Sequence, residues 1–218
     1  MACCSCAFED VAQQQFTAKK AATQLRDYRR NKIGATTRLL RDGVVQAALN
    51  SGTLLDVGAG VGALTFELLD RGMANAVVVE ASPAYLAAAR DEAGRRQRET
   101  VVKFVSGDFL SVADTLPHAD VVTLDRVVCC YPRYEPLLEA AVRHARNALA
   151  LSYPKDRWHV RAVVQIENAL RARRTSFRTF VHSAARMQQI IEQAGFELVA
   201  RRSTGVAWSA DIFVRRRP

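Results

Sequence analysis

No stretch of this chain approaches the roughly 18 uninterrupted apolar residues that a membrane span needs. Its five cysteines sit at 3, 4, 6, 129 and 130, an odd count in adjacent pairs that argues against a disulfide framework. The Cys3/Cys4/Cys6 cluster has no C-x-x-C partner pair and no nearby histidine, so no metal site is expected there. The opening residues, MACCSCAFEDV, lack the basic-then-apolar layout of a secretory signal. A cytoplasmic location is the expectation. Internal repeats and low-complexity linkers are also missing, so 218 residues read as one domain large enough to bury a core.

What is present in excess is positive charge, a formal +9, and it is concentrated. Residues 19–42 hold eight Lys/Arg against two Asp, and residues 155–178 hold seven against one Asp and one Glu. The rest of the chain is slightly acidic. Two basic segments on a neutral body suggest an anionic partner meeting those segments, with a general solubility charge as the plain alternative.

Hydrophobic periodicity predicts a helix over 8–31 and a second over 36–49, closed by Asn50-Ser51-Gly52. Strands then alternate with helices. Strands are expected at 53–57, 76–80, 101–105, 120–124 and 148–152, with helices near 62–71, 83–97 and 135–148. Ser82-Pro83 supplies an N-cap and first-turn proline. Continuous apolar strands separated by amphipathic helices imply an α/β, doubly wound, mostly parallel sheet covered on both faces. Residues 155–178 interrupt the alternation with Trp158, Val163, Val164, Ile166 and Leu170 among arginines. Such a helix is a cap over a site, a membrane-surface element or a solvated edge helix. A helix at 183–194 and an antiparallel pair at 196–202 and 207–215 close the chain. The domain, 1–218, thus comprises a helical cap (1–50), a core (53–216) and the basic insertion (155–178).

The most informative stretch is TLLDVGAGVGALT, residues 53–65. It reads as a strand turning sharply into a helix, with Gly58, Gly60 and Gly62 leaving the turn bare so that a ligand can touch backbone. Gly58-x-Gly60-x-x-Ala63 satisfies the dinucleotide fingerprint, and Glu80 ends the next strand where it could accept both ribose hydroxyls of an adenosine group. Asp56 separates the candidates. A carboxylate beside a pyrophosphate is repelled, whereas S-adenosylmethionine carries a sulfonium and an ammonium that Asp56 would welcome.

These residues resemble the class I S-adenosylmethionine-dependent methyltransferases over about residues 53–216. LLDVGAGVG is similar to that family's first motif, and VVVEAS to its second. The resemblance implies a Rossmann-like seven-stranded fold and a cofactor site formed by Asp56, Gly58, Ala59, Gly60, Gly62, Glu80 and Ala81. It further implies Asp108 on the adenine amine, Phe109 supplying the adjacent backbone amide, and Asp125 at the methionine end. Residues LDRVVCCYP, LALSYPK and the C-terminal stretch from Phe180 resemble the magnesium-protoporphyrin O-methyltransferases, which methylate a porphyrin propionate. Cys130 stands where that family has the histidine of His-Tyr-Pro.

Methyl transfer to a protonated nucleophile needs a general base, while a carboxylate or thiolate needs little or none. The Asn/Asp-Pro-Pro-aromatic tetrapeptide that marks attack by a planar amino nitrogen is missing from the fourth-strand loop. That absence lowers methylation of a base or amide nitrogen, and the resemblance to the magnesium-protoporphyrin O-methyltransferases, with the two basic segments, favours a small, anionic acceptor and O-methylation. RNA methylation is the alternative, and a non-catalytic cofactor sensor a further one. Pocket candidates are Tyr28, Arg126, Cys130, Tyr131 and His182. Either His159 or His182 could reach the mouth, and His144 is expected to be solvated.

Overall fold

The sheet is organised by where its strands end. The computed structural model describes residues 4–216, with side chains from Phe8 onward; Cys3 and the side chains of Cys4 and Cys6 lie outside the described residues. Helices α1 (Cys4–Gln15), α2 (Ala18–Arg29) and α3 (Ala35–Gln46) lead into β1 (Thr53–Val57), α4 (Ala63–Leu69), β2 (Asn75–Glu80) and α5 (Pro83–Arg95). Then follow β3 (Val102–Ser106), α6 (Phe109–Val112), β4 (Ala119–Asp125), α7 (Glu135–His144) and β5 (Ala145–Pro154). The chain finishes with α8 (Trp158–Arg171), α9 (Ala184–Gln193), β6 (Phe196–Thr204) and β7 (Trp208–Arg215).

Seven described strands form one sheet in the order β3-β2-β1-β4-β5-β7-β6. The first five are mutually parallel, while β7 runs antiparallel to both β5 and β6. The order reverses direction between β1 and β4, which opens a crevice beyond the carboxyl ends of those strands. Two apolar layers cover the faces. One is centred on Leu55, Val122, Leu137, Leu149 and Phe213, the other on Leu40, Leu54, Phe66, Val78 and Ile212. The central parallel strands β1, β4 and β5 are buried on both faces over their apolar runs, as continuous apolar sequence requires.

Local signals place most boundaries. Ser82 accepts from the Tyr85 N–H with Pro83 in the first turn, and Gly195, at φ 88°, ends α9. Two expectations fail. The helix expected over 8–31 breaks at Phe16-Thr17, where Thr17 is extended. The Phe16 carbonyl accepts from Ser82 Oγ at 2.8 Å, and its ring meets Tyr85 and Phe177 edge-on. A tertiary site for the ring and carbonyl outweighs one more helical turn. The helix expected to reach residue 148 stops at His144, because Ala145–Ala148 pair with β4 while the Arg215 guanidinium donates to the carbonyls of Ala145 and Arg146. Sheet pairing overrides the helical propensity of an alanine-rich run.

His144, expected in solvent, is buried. Its two ring nitrogens lie 2.8 and 3.0 Å from the carbonyls of Ala140 and Ala113. Tyr28 is buried as well, with its hydroxyl on Glu67 and its ring under the Arg96 guanidinium, which anchors α2 to the core. Part of the N-terminal basicity is internal. Arg29 pairs with Asp91 and Glu92, and Arg41 with Asp42 and Glu67.

Glu92 is fully buried on α5 and bonded by Arg29, Arg95 and Arg96. Burial alone would raise its pKa, but the three guanidiniums outweigh it and hold the carboxyl at about 2. Its stabilising contribution is therefore complete above the ordinary value of 4.5 and disappears as pH falls from there through about 2. Glu92→Gln is expected to cost about 3 kcal/mol at neutral pH and to flatten the acid limb of stability against pH. Urea denaturation across pH 3–7 would measure both.

Candidate functional site

Three carboxylates converge at the carboxyl ends of β1, β2 and β4, on either side of the strand-order reversal. Each is held by donors that the fold supplies. Asp56 accepts from Thr65 Oγ1 at 2.6 Å and Thr123 Oγ1 at 2.7 Å, the latter its register partner on β4. Glu80 accepts from the Gly60 N–H at 2.9 Å and the Ser82 N–H at 2.8 Å. Asp125 accepts from Thr37 Oγ1 and from Ser152 Oγ, both at 2.6 Å. Burial, opposed by the two threonine hydroxyls and assisted by repulsion from Asp125 and Glu80, pushes Asp56 up to about 6. Burial likewise raises Glu80 against its backbone donors. A cation placed in this crevice would relieve the repulsion; a pyrophosphate would add to it.

The turn between β1 and α4 has Gly58, Gly60 and Gly62 at φ 61°, 61° and 78°. A Cβ on Gly58 would lie 2.6 Å from Val127 Cγ2, and one on Gly62 2.7 Å from the Phe66 ring. Glycine at these two positions thus serves packing as well as backbone conformation. At Gly60 a Cβ would meet nothing closer than 3.6 Å, and its freedom matters for the approach of a ligand.

A cavity of about 550 Å³ opens from this turn. Of the expected cofactor residues, Gly58, Gly60, Glu80, Ala81, Phe109 and Asp125 line it. Asp56 and Ala59 instead face a recess of about 50 Å³ that shares Gly58, Gly60, Asp125 and Arg126 with the cavity. Gly62 and Asp108 line neither. The Asp108 carboxylate is buried against the Tyr131 hydroxyl, which donates to it, and the Asp108 N–H donates to Glu9 at 2.9 Å. The residues thus fit a cationic, adenosine-bearing group at the turn, with Asp108 already engaged by the protein.

The pocket candidates separate. Arg126, Cys130 and Tyr131 line the cavity. Tyr131 is stacked on Phe8 at 4.4 Å between ring centroids, and burial beside Asp108 raises its pKa, so it is a wall and not a base. Both Cys129 and Cys130 point their thiols at the Arg126 carbonyl. The hydrogen bond with its Cys129 neighbour, and then burial, raise the Cys130 thiol's pKa and keep it protonated at neutral pH. Tyr28 and His182 do not line the cavity. The His182 ring is bonded to the Tyr131 carbonyl at 2.9 Å and packed on Tyr134, behind the wall, where burial lowers its pKa. His159 does reach the cavity.

The roof comes from distant segments: Phe8, Ala12 and Gln15 of α1, Lys20 and Gln24 of α2, and the inner face of α8. Val206 and Trp208 of the β6–β7 hairpin complete it. Phe8, Glu9 and Thr37 carried no local signal. Their partners are remote in sequence: Tyr131 for Phe8, Asp108 for Glu9 and Asp125 for Thr37.

The model of a family described as a methyltransferase domain matches residues 54–152. A search of curated proteins gives no match. Among solved structures, the fold is similar to magnesium protoporphyrin IX methyltransferase from Synechocystis PCC 6803 with bound S-adenosylhomocysteine. That likeness has a TM-score of 0.68 and 19% identity over 83% of this chain and 82% of that one. The same enzyme has also been solved with S-adenosylmethionine. An O-methyltransferase family protein from Burkholderia thailandensis superposes with a TM-score of 0.73 and 16% identity, over 96% of this chain but 63% of that one. A protein from Pyrococcus horikoshii with an unproven RNA methyltransferase assignment reaches 0.60 at 14% identity, over 82% and 81%. At these identities the likeness is one of fold.

Gly58→Ala is expected to destabilise by about 2–4 kcal/mol, combining a backbone penalty with an overpacked Val127. Gly60→Ala should cost about 1 kcal/mol through backbone strain alone. Denaturant titration of the two variants checks the ordering.

Proposed function

We propose that this chain, an S-adenosylmethionine-dependent methyltransferase with the class I fold, methylates a small anionic molecule, with an oxygen acceptor such as a carboxylate favoured. The bound cofactor supplies a methyl group on a cationic sulfonium. Glu80 is assigned to the ribose hydroxyls, exchanging its present bonds to the Gly60 and Ser82 amides for them. The backbone from Gly58 to Gly62, with Ala81, allows close approach, and Phe109 bounds the adenine end. Asp56 and Asp125 act on the cationic end by charge, Asp56 from within the recess.

One observation carries the acceptor assignment. Arg126 sits at φ 61° immediately after Asp125, with its N–H donated to Ser152 Oγ at 2.8 Å. Its guanidinium makes no hydrogen bond among the described residues and lines the cavity. A cation so placed suits an anionic acceptor. A carboxylate is already ionised at neutral pH and needs no base, which agrees with the engagement of Tyr131 and His182 by the protein itself. The protein's work is then alignment and exclusion of water by the roof.

Methyl transfer from labelled cofactor into a fractionated extract tests the reading. Label in small molecules, released by mild alkali as expected of an ester, supports it; label confined to RNA overturns it. With the acceptor so identified, Arg126→Ala should raise KM for it at least tenfold while leaving cofactor affinity unchanged. Affinity for the cofactor should also depend on pH. The ionised form of Asp56 attracts the cation, so calorimetry should show binding weakening as pH falls through about 6. Asp56→Asn should weaken binding at neutral pH and remove that dependence.

A further inference from the structure

Helix α8 carries two apolar faces, and only one is used. Its inner face, with Val160, Val164 and Arg171, closes the cavity. Positions 158, 162, 166 and 170 follow one another at four-residue spacing and form a separate stripe. On it Trp158 is 81%, Ile166 61% and Leu170 67% exposed. The exposed Val206, at the tip of the β6–β7 hairpin, is tethered to the α8 approach by the Lys155 N–H on the Ala207 carbonyl and Lys155 Nζ on the Gly205 carbonyl. An isolated exposed leucine is ordinary, but an exposed tryptophan, isoleucine, leucine and valine along one edge form a patch that needs a partner.

The charge around the stripe chooses that partner. Arg157 precedes it, and Arg173 and Arg174 follow it. All three are exposed and their side chains make no ion pair or hydrogen bond among the described residues. They contrast with Arg29 and Arg41 of the N-terminal helices, which are spent on internal carboxylates. The stripe is about 18 Å long at the helical rise, with tryptophan at one end and free arginines at both. Among the described residues no helix is long and apolar enough to cross a membrane. A helix with a broad apolar arc, an aromatic and flanking arginines has the chemistry of an element lying in the headgroup region of an anionic bilayer.

We infer that the outer face of α8, with the β6–β7 hairpin tip, docks on an anionic phospholipid surface. Val163 both lines the cavity and is 54% exposed, so the docked face adjoins the cavity's roof. An acceptor dissolved in the lipid interface would then enter beside the docked helix without crossing bulk water. The inference does not depend on which acceptor is methylated.

The test is sedimentation of the full chain with vesicles of phosphatidylcholine alone or with about one third phosphatidylglycerol. Expected is binding to the anionic vesicles that weakens with salt, with a blue shift of Trp158 emission that Trp158→Phe removes. Combined Trp158→Ser, Ile166→Ser and Leu170→Ser should reduce binding at least tenfold. These side chains are exposed and outside the cavity, so thermal midpoint and S-adenosylhomocysteine affinity should stay unchanged. If that variant fails to fold, Arg173→Glu with Arg174→Glu must produce the same loss. No sedimentation with anionic vesicles at low salt overturns the inference, as does undiminished binding by the variants. A dimer in ultracentrifugation that the serine variant dissolves, without vesicle binding, would assign the stripe to a second copy. Loss of cofactor binding in the unmodified chain would count against the methyltransferase site alone.

Discussion

The constraint on which the site depends is the gathering of three carboxylates at the ends of neighbouring parallel strands. Asp56 and Glu80 are buried and Asp125 half-buried where the strand order reverses, and their mutual repulsion grows as water is excluded. The fold holds them with six donors: four hydroxyls, from Thr37, Thr65, Thr123 and Ser152, and two backbone amides, of Gly60 and Ser82. The donors satisfy lone pairs without cancelling charge, so the crevice keeps a negative potential. A cationic ligand is the natural complement of that arrangement, and the raised pKa of Asp56 is the cost of holding the site ready for it.

The bare turn serves the same end. Glu80 reaches back to the Gly60 amide, which joins the carboxylate to the loop it faces. Gly58 and Gly62 let Val127 and Phe66 pack where side chains would collide. Conformation, packing and ligand approach are thus distributed among the three glycines and not shared equally by them.

The roof follows a different logic. It is assembled by aromatic and polar contacts between segments far apart in sequence: Phe8 on Tyr131, Glu9 on Asp108, Phe16 against Tyr85 and Phe177. These contacts give several of the expected site residues partners within the protein. Asp108 accepts from Tyr131, and His182 is a half-buried support behind it. Tyr28 anchors a helix to Glu67 and Arg96. The basic segments also part company. The first folds Arg29 and Arg41 into ion pairs with core carboxylates, and the second leaves arginines free beside an apolar stripe.

The alternating sheet, the glycine turn and the acids at the strand ends were legible in the sequence, because each rests on interactions between residues close along the chain: strand periodicity, a φ that only glycine takes easily, a carboxylate ending an apolar run. Asp56 was read as the residue that excludes a pyrophosphate, and it lies buried near two other acids. Tertiary structure alone decided which side chains reach the cavity, that the first helix breaks at Phe16, and that β5 begins at Ala145. In each case partners remote in sequence, as far apart as Phe16 and Phe177, supplied a hydrogen bond or a ring contact, and such energies leave no trace in local spacing.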